Sequence, residues 1–323
     1  MHFDLESLER HAAEVHRVLP ATPQLSWPLL NERLRTEVWV KHENHTCVGA
    51  FKIRGGLSYF AELRRSQPEV QHVVAATRGN HGQSVAFAAR RNGIAATIVV
   101  PHGNSRGKNA AMRALGAQVI EHGDDLQAAR EHAAVLSAEL GLHRVSSFDS
   151  ALVGGVASYC LEFFRGAPSL DVAYVPVGLG SGICAMIAAR DALGLATEIV
   201  GVVSAHAPAY AMSFEAGRVL AHPTSTRLAD GLACSTPEPA ALAMILAGAS
   251  RIVRVSDDEV ADAMCALFED THNVAEGAGA ASLAAAMQER GNLAGQRVGV
   301  VLSGGNVDRA AFSEVLGACR LAA

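Results

Sequence analysis

The sequence predicts an α/β fold whose parallel sheets are covered by helices on both faces. Short β-branched segments alternate with alanine-rich helical segments through most of the chain. The strand segments are almost continuously apolar, as in HVVAAT at 72–77 and ATIVVP at 96–101, and this is typical of strands buried on both faces. The chain has 323 residues, of which 50% are hydrophobic, and this is enough for a large core or for two domains.

The alternation sets the order of elements along the chain. The predicted strands are 72–77, 96–101, 118–121, 172–177, 198–204, 252–255 and 296–302. The predicted helices are 82–91, 106–115, 124–140, 183–193 and 256–272. No linker rich in proline and glycine separates two domains, and the pattern alone places domain boundaries near 71 and 149.

Composition and charge exclude several classes of protein. The formal net charge is -5 and Lys and Arg do not cluster, so we expect no nucleic-acid or membrane partner. The sequence has no apolar run of about 18 residues and its charged N-terminal segment lacks a signal-peptide core. The six cysteines are scattered without a CxxC pair, which predicts reduced thiols and a cytoplasmic location. Of the protein classes considered, an enzyme that acts on small molecules remains.

A glycine-rich loop follows the predicted strand at 172–177. The sequence VPVGLGSG places Gly178, Gly180, Ser181 and Gly182 between a strand and a helix, where backbone N–H groups can converge on a phosphate. A dinucleotide fingerprint would need glycine at 183, which is isoleucine, and the Gly-Lys-Ser/Thr triplet of a P-loop is absent. A tight strand–helix turn without a ligand is the structural alternative.

A lysine lies in the segment GAFKIRGG at 49–56. Lys52 is flanked by apolar and small residues, and lysine is rare in this chain, where Lys41 and Lys108 are the others. Burial lowers the pKa of a lysine and makes its amine a nucleophile toward aldehydes. The alternative is an ordinary surface lysine on a helix.

Two further polar segments follow predicted strands. TRGNHGQ at 77–83 is suited to binding a carboxylate, and its Asn80 could donate to a ring hydroxyl. SGGN at 303–306 places Ser303 where it could face a heteroaromatic nitrogen. A helix N-cap and a plain glycine turn are the respective alternatives. His42 and His45 are three residues apart, but nothing completes a metal site, and we expect no metal.

Taken in order, these segments resemble the fold type II pyridoxal-phosphate enzymes, in particular the threonine/serine dehydratase and serine racemase family. The matching segments are KHENHTCVGAFKIRGG, TRGNHGQS, VPVGLGSG and VLSGGNVD, and the resemblance extends from Thr22 to Arg320. It implies the two-domain fold of this group, which is similar to the tryptophan synthase β chain. Residues 1–71 with 149–323 would form the large cofactor-binding domain, and 72–148 a small mobile domain.

The resemblance also implies a role for each matched residue. Lys52 would carry pyridoxal 5'-phosphate as a Schiff base, with Phe51 beside the ring. Asn80 would bond the ring 3-hydroxyl and Ser303 would face the pyridine nitrogen. The remaining cofactor residues would be Glu276 in the pocket wall and, around the phosphate, Gly178, Leu179, Gly180, Ser181 and Gly182. The substrate residues would be Thr77, Arg78, Gly79, Asn80, His81 and Gly231.

The activity that the resemblance implies is β-elimination from a 3-hydroxy-L-amino acid such as threonine or serine. Lys52 would remove the Cα proton, the hydroxyl would leave as water, and hydrolysis would give a 2-oxo acid and ammonia. A homodimer is expected. The alternatives are a lyase for a bulkier substrate such as phenylserine or hydroxyaspartate, a step in hydroxyectoine degradation, a racemase, or a ligand-binding protein without catalysis.

This sequence departs from the family pattern at several positions. Arg78 stands where relatives often carry serine or alanine, and the racemases use a serine there as an acid, so racemisation is disfavoured. We expect Arg78 either to bind a distal group of the substrate or to pair with an acid of the large domain. A solvated arginine at the start of the helix is the structural alternative. Val203 and Ala209 stand where racemase-like relatives have acidic ligands for a divalent ion. This agrees with the prediction that the protein binds no metal.

Overall fold

The computed structural model describes Met1 and residues 3–319. Residues 320–323, which the sequence analysis places at the end of the large domain, lie outside the described part. The strands are β1 Gln24–Ser26, β2 Glu37–His42, β3 His72–Ala76, β4 Ala95–Val100, β5 Gln118–Glu121, β6 His143–Arg144, β7 Val172–Pro176, β8 Glu198–Ser204, β9 Arg251–Val255 and β10 Arg297–Leu302.

Helices follow most of the strands. They are α1 Leu5–His16, α2 Pro28–Leu34, α3 Lys52–Ser66, α4 Asn80–Arg91, α5 Arg106–Ala114, α6 Leu126–Leu140, α7 Ser150–Gly166, α8 Ser181–Ala192, α9 Ala209–Ala216, α10 Pro239–Gly248, α11 Asp257–Thr271, α12 Gly277–Gln288 and α13 Arg309–Ala318. In the described part of the chain, no helix is long and apolar enough to cross a membrane.

The strands form two sheets, which confirms the predicted α/β class. The larger sheet has the order β1-β2-β10-β7-β8-β9, and the smaller has the order β5-β4-β3-β6. Within them, the pairing of β1 with β2 is antiparallel and the other strand pairs are parallel. Apolar clusters lie on both faces of the larger sheet, as parallel sheets require.

The smaller sheet lies within the segment 72–148 that the sequence analysis assigns to a small domain. Its core also takes Phe60 and Leu63 from α3, which precedes that segment. The first turn of α3 is bound through Arg54 to Glu43, which follows β2 of the larger sheet, so α3 connects the two sheets. Independent movement of 72–148 stays a prediction.

Helix α7 is an element that the sequence analysis did not include, because its glycines resemble a loop. A Cβ at Gly155 would lie 2.4 Å from the carbonyl oxygen of Arg54, and a Cβ at Gly55 would lie 2.8 Å from that of Leu152. These glycines allow the backbones of α3 and α7 to approach closely. Glycine has no side chain, and this both weakens the helix signal in the sequence and allows the two helices to pack closely.

A buried ion network joins these two helices to β2. Arg54 is 0% exposed; its Nε donates to Glu43 Oε2 at 2.7 Å and its Nη1 to Glu162 Oε1 at 2.6 Å. Lys41 Nζ donates to Glu162 Oε2 at 2.6 Å. Burial alone would raise the pKa of Glu162, but the charges of Arg54 and Lys41 lower it overall.

The structure corrects one expectation about the cysteines. Cys265 of α11 and Cys319 after α13 form a disulfide, with Cα atoms 6.1 Å apart. The expectation of reduced thiols is therefore wrong for this pair, which singly scattered positions 54 residues apart do not reveal. The other four cysteines are free: Cys47, Cys160, Cys184 and Cys234.

We expect the substitution Arg54→Met to lower the free energy of unfolding by about 3 kcal/mol, because it leaves the buried carboxylate of Glu43 without its cation and removes one of the cations that contact Glu162. Urea titration followed by circular dichroism measures this. Arg17→Met is the control, since Arg17 pairs with Glu14 at the surface and its loss should cost less than about 0.5 kcal/mol. Equal losses in the two variants would contradict a structural role for the network.

Candidate active site

Two of the predicted segments, 49–56 and 303–306, lie hydrogen-bonded to each other. The amide of Phe51 donates to the carbonyl oxygen of Ser303 at 3.0 Å. Segment 303–306 leaves the carboxyl end of β10, in the middle of the larger sheet. This contact therefore holds Lys52, the first residue of α3, at the edge of the sheet where ligands of parallel sheets bind.

The amine of Lys52 lies against the glycine loop. Its Nζ donates to Ser181 Oγ at 2.8 Å and lies 4.8 Å from the centroid of the Phe51 ring. Burial lowers the pKa of Lys52 to about 8. A substantial fraction of the amine is therefore neutral near physiological pH, which is the form that attacks aldehydes and accepts protons.

The glycine loop turns sharply between β7 and α8. Gly180 has φ +100°, which disfavours any residue with a Cβ, and a Cβ there would lie 2.7 Å from that of Ala241. Helix α8 begins at Ser181, so its unpaired N–H groups face the loop. A Cβ at Gly182 would meet nothing nearer than 3.6 Å, so packing within the protein does not require glycine at that position.

Neighbouring contacts fix the other side of this loop. A Cβ at Gly178 would lie 2.4 Å from the carbonyl oxygen of Gly231, and the two predicted glycines are therefore in close contact. The carbonyl oxygen of Leu179 accepts a hydrogen bond from the Tyr210 hydroxyl at 2.9 Å. The loop is held in one conformation by residues outside it.

The segment 77–81 leads into α4. Thr77 is buried, and its Oγ1 accepts a hydrogen bond from the Gly79 amide at 3.1 Å. The helix begins at Asn80, two residues earlier than the predicted start, so its N-terminal amides face the site. An anion such as a carboxylate is favoured at this helix end.

His81 lies in the first turn of α4 and is 8% exposed. Its Nε2 is buried and has no hydrogen-bond partner among the described residues. Burial lowers the pKa of His81 to about 3, and the charges of Lys52 and Arg130 contribute to the shift. The imidazole is therefore neutral at physiological pH and keeps one ring nitrogen for a ligand.

Arg78 is half-buried at the same helix end. Among the residues that the structure describes, none forms a hydrogen bond or ion pair with Arg78. The predicted contact with an acid of the large domain is absent in this conformation. Binding of a substrate group therefore stays as the prediction for Arg78, with a solvated side chain as the alternative.

The acid that lines the pocket, Glu276, is 4% exposed. It contacts two residues of 72–148, which we call the small segment. Asn80 Nδ2 donates to its Oε1, and Lys108 Nζ lies 3.3 Å from its Oε2. Lys108 also lies 3.2 Å from Asp230 Oδ2. Burial raises the pKa of Glu276, and the positive charge of Lys108 opposes the rise.

The sequence analysis missed the roles of Lys108 and Asn306. Lys108 passes over Gly79, where a Cβ would lie 2.5 Å from its Cδ; the rarity of lysine in the chain was the available signal. Asn306 Nδ2 donates to Asn80 Oδ1 at 2.9 Å, and it belongs to a segment that the analysis had selected. Asn80 keeps one of its two amide hydrogens for a ligand.

Ser303 completes the group at the carboxyl end of β10. It is 5% exposed, and its Oγ lies 3.4 Å from the carbonyl oxygen of Ala278. A Cβ at Gly231 would lie 2.8 Å from the Cβ of the same Ala278. The structure thus places the sequence-predicted residues around one site: Phe51, Lys52, Thr77, Arg78, Gly79, Asn80, His81, Gly178, Leu179, Gly180, Ser181, Gly182, Gly231, Glu276 and Ser303.

Comparison with known proteins identifies the family. Residues 17–304 match the family model described as pyridoxal-phosphate dependent enzyme. The chain belongs to this family. Its cofactor is pyridoxal 5'-phosphate, as the sequence analysis predicts.

Several relatives in this family cover most of the chain. An L-threonine ammonia-lyase of Thermotoga maritima is 33% identical over 305 residues, which are 94% of this chain and 76% of that protein. An L-threo-3-hydroxyaspartate ammonia-lyase of Saccharomyces cerevisiae is 29% identical over 296 residues, or 91% and 90% of the two chains. The structure of maize serine racemase superposes with a TM-score of 0.91 at 25% identity, covering 98% of each chain.

The residues present fit the cofactor. Lys52 supplies an amine with a lowered pKa, and the loop from 178 to 182 supplies free amides at a helix end. His81 keeps an unpartnered buried nitrogen beside them. This donor set suits an aldehyde, a phosphate and a polar ring.

We expect covalent attachment of pyridoxal 5'-phosphate to the apo-protein to become faster with rising pH, with a midpoint near 8, because the neutral form of Lys52 reacts. Borohydride trapping at timed intervals, followed by mass spectrometry, measures the rate. Nα-acetyl-lysine with the same cofactor is the control, and its midpoint should lie near the ordinary lysine value of 10.5. Identical midpoints would show that the burial of Lys52 does not affect its amine.

Proposed function

We propose that this protein is a pyridoxal-phosphate-dependent ammonia-lyase that converts a 3-hydroxy-L-amino acid, such as threonine or serine, into a 2-oxo acid and ammonia. The observation that carries the proposal is the amine of Lys52, held at 2.8 Å from Ser181 Oγ and with its pKa lowered to about 8. The name of the Thermotoga maritima relative, L-threonine ammonia-lyase, supports threonine as the first substrate to test.

Lys52 is the proposed base for the Cα proton. When bound, pyridoxal phosphate supplies an electron-accepting ring that stabilises negative charge at the substrate Cα. A base acts best when its pKa is close to the working pH, and burial brings Lys52 into that range. Ser181 Oγ holds the amine in place before the proton moves.

The first turn of α4 is the proposed site of the substrate carboxylate. Its N-terminal amides and the Thr77 and Asn80 side chains provide donors for an anion. His81 is neutral, so it can orient the carboxylate by a hydrogen bond without a competing ion pair. Binding at this end would hold the Cα–H bond in one orientation relative to Lys52.

The overall reaction balances without any oxidant or reductant. The Cα proton passes to Lys52, the Cβ–oxygen bond breaks, and the hydroxyl leaves with a proton as water. The enamine that remains takes up a proton at Cβ, and water then adds to the resulting imine and releases ammonia. For threonine, the products are 2-oxobutanoate and ammonia.

Arg78 makes racemisation the weaker candidate. A racemase needs a group that returns a proton to the face opposite Lys52, and the resemblance places residue 78 there. An arginine keeps its proton at physiological pH, so it is a poor donor in that step. Lyase chemistry needs no such donor.

Further properties stay predictions. Closure of 72–148 over the substrate would be guided by the contacts of Lys108 with Asp230 and Glu276, which cross between the two parts. Activity on serine, a homodimer and a cytoplasmic location follow from the resemblance and the composition. Gel filtration with light scattering tests the dimer directly.

We expect Lys52→Ala to lower the release of 2-oxobutanoate from threonine by at least a thousandfold, because covalent catalysis and proton transfer both need the amine. Lactate dehydrogenase coupling measures the product. Lys52→Arg is the matched variant: it keeps the positive charge and should be equally inactive. Circular dichroism should show both variants folded.

A Lys52→Ala variant that keeps more than about a thousandth of the wild-type rate would contradict the role of Lys52. A wild-type holoenzyme that binds the cofactor but releases no ammonia from threonine, serine or other 3-hydroxy amino acids would contradict the proposed function itself. These two results can be told apart, because the absorbance of the bound cofactor reports cofactor binding independently of ammonia release.

A further inference from the structure

The glycine loop at 178–182 is bound from outside by the side chain of one tyrosine. Tyr210 lies in the first turn of α9 and is 1% exposed, and its ring packs in the apolar core on one face of the larger sheet. Its hydroxyl donates to the carbonyl oxygen of Leu179 at 2.9 Å, and the hydroxyl oxygen accepts a hydrogen bond from the amide of Glu238 at 3.1 Å. This one hydroxyl therefore connects the loop to the residue that precedes α10.

The hydroxyl of Tyr210 is a donor toward the loop. It has a single hydrogen, and a backbone amide such as that of Glu238 can only donate to it, so the hydrogen is directed at the carbonyl of Leu179. Burial raises the pKa of Tyr210 well above its ordinary value, so the hydroxyl keeps this hydrogen at physiological pH. The Leu179 carbonyl is therefore held toward α9.

The position of this carbonyl fixes the direction of the next amide. The Leu179–Gly180 peptide bond is trans, and in a planar trans peptide the C=O and N–H bonds point in opposite directions. The amide of Gly180 consequently points away from Tyr210. In the described part of the chain, no group accepts a hydrogen bond from this amide, so it is free to bind a ligand.

The loop needs an external contact because its glycine can adopt two conformations. Gly180 has φ +100°, and glycine populates negative φ about as readily as positive φ. Rotation of the peptide unit between Leu179 and Gly180 by half a turn changes the sign of this φ and reverses the amide. The rotated conformation turns the Leu179 carbonyl away from Tyr210 and loses the hydrogen bond, so the hydroxyl favours the conformation observed.

We propose that Tyr210 is a positioning residue for the phosphate group of the cofactor. By holding the Leu179 carbonyl, its hydroxyl keeps the amide of Gly180 directed at the phosphate, next to the N-terminal amides of α8. Tyr210 acts through the loop and makes no contact with the cofactor itself. The inference rests on the cofactor of the family and not on the proposed ammonia-lyase activity, so cofactor binding alone tests it.

The first experiment compares two forms of the cofactor on the apo-protein. Pyridoxal 5'-phosphate and pyridoxal share the ring and the aldehyde, but pyridoxal has no phosphate, and absorbance titration measures the affinity of each. Tyr210→Phe keeps the buried ring and removes the hydroxyl. We expect it to weaken pyridoxal 5'-phosphate binding by about tenfold, because a hydrogen bond to a charged group is lost, and to change pyridoxal binding by less than about twofold.

Inorganic phosphate provides a second probe that does not react with Lys52. It should compete with pyridoxal 5'-phosphate for the wild-type apo-protein, and its inhibition constant should rise by about tenfold in Tyr210→Phe for the same reason. The ring and the aldehyde play no part in this measurement, so it reports the phosphate site alone.

Tyr174→Phe is the matched control. Tyr174 is 0% exposed and lies in β7, the strand that leads into the loop, and its hydroxyl donates to Glu289 Oε2. This variant also loses a bonded tyrosine hydroxyl, but away from the loop, so the affinities for both cofactor forms should stay within about twofold of wild type. Circular dichroism reports folding. Tyr210→Met also fills space without a hydroxyl and replaces Tyr210→Phe in both experiments if that variant does not fold.

Three results would overturn the proposal. They are unchanged binding of pyridoxal 5'-phosphate in Tyr210→Phe, equal losses for pyridoxal 5'-phosphate and pyridoxal, and the same phosphate-selective loss in Tyr174→Phe. Equal losses would show that the hydroxyl supports the fold in general and not the phosphate site. None of these results depends on whether ammonia is released from threonine, so this inference and the proposed function can fail separately.

Discussion

The buried pairing of Arg54 with two glutamates is the interaction on which the rest of the site depends. Arg54 lies in the first turn of α3, two residues after Lys52, and is bound to Glu43 at the end of β2 and to Glu162 of α7. Buried ions are tolerated only when every partner is in place. The network therefore fixes the position of α3 against the larger sheet and, with it, the position of the reactive amine.

Burial in this site shifts the pKa values of several groups at once, each in the direction that favours the neutral form. It lowers the pKa values of Lys52 and His81 and raises that of Glu276. The imidazole of His81 is neutral at physiological pH, so it does not hold a carboxylate by an ion pair. In the proposed function, the helix end of α4 attracts the carboxylate instead, and the amine of Lys52 stays free to accept a proton.

Sequence patterns were sufficient to predict the segments that lie around the candidate site and insufficient to predict the contacts that position them. Strand ends, glycines and the isolated Lys52 have local signals, and the structure places those segments around one site. Helices α3 and α7 have weak signals because their glycines serve packing between helices, as Gly155 does against Arg54. The partners of Lys108 are over 120 residues away along the chain, and no local pattern encodes such a pairing.

The small segment, 72–148, contributes to the site mainly through polar groups, and these contacts are compatible with the proposed movement of the segment. Lys108 reaches Asp230 and Glu276, and Ser105 donates to Asp308 at 2.9 Å. Asp230 is 42% exposed, so water competes for that contact and its contribution to stability is small. The apolar core of the smaller sheet is separate from these contacts. Movement of 72–148, as proposed, would break these polar contacts without unfolding either sheet.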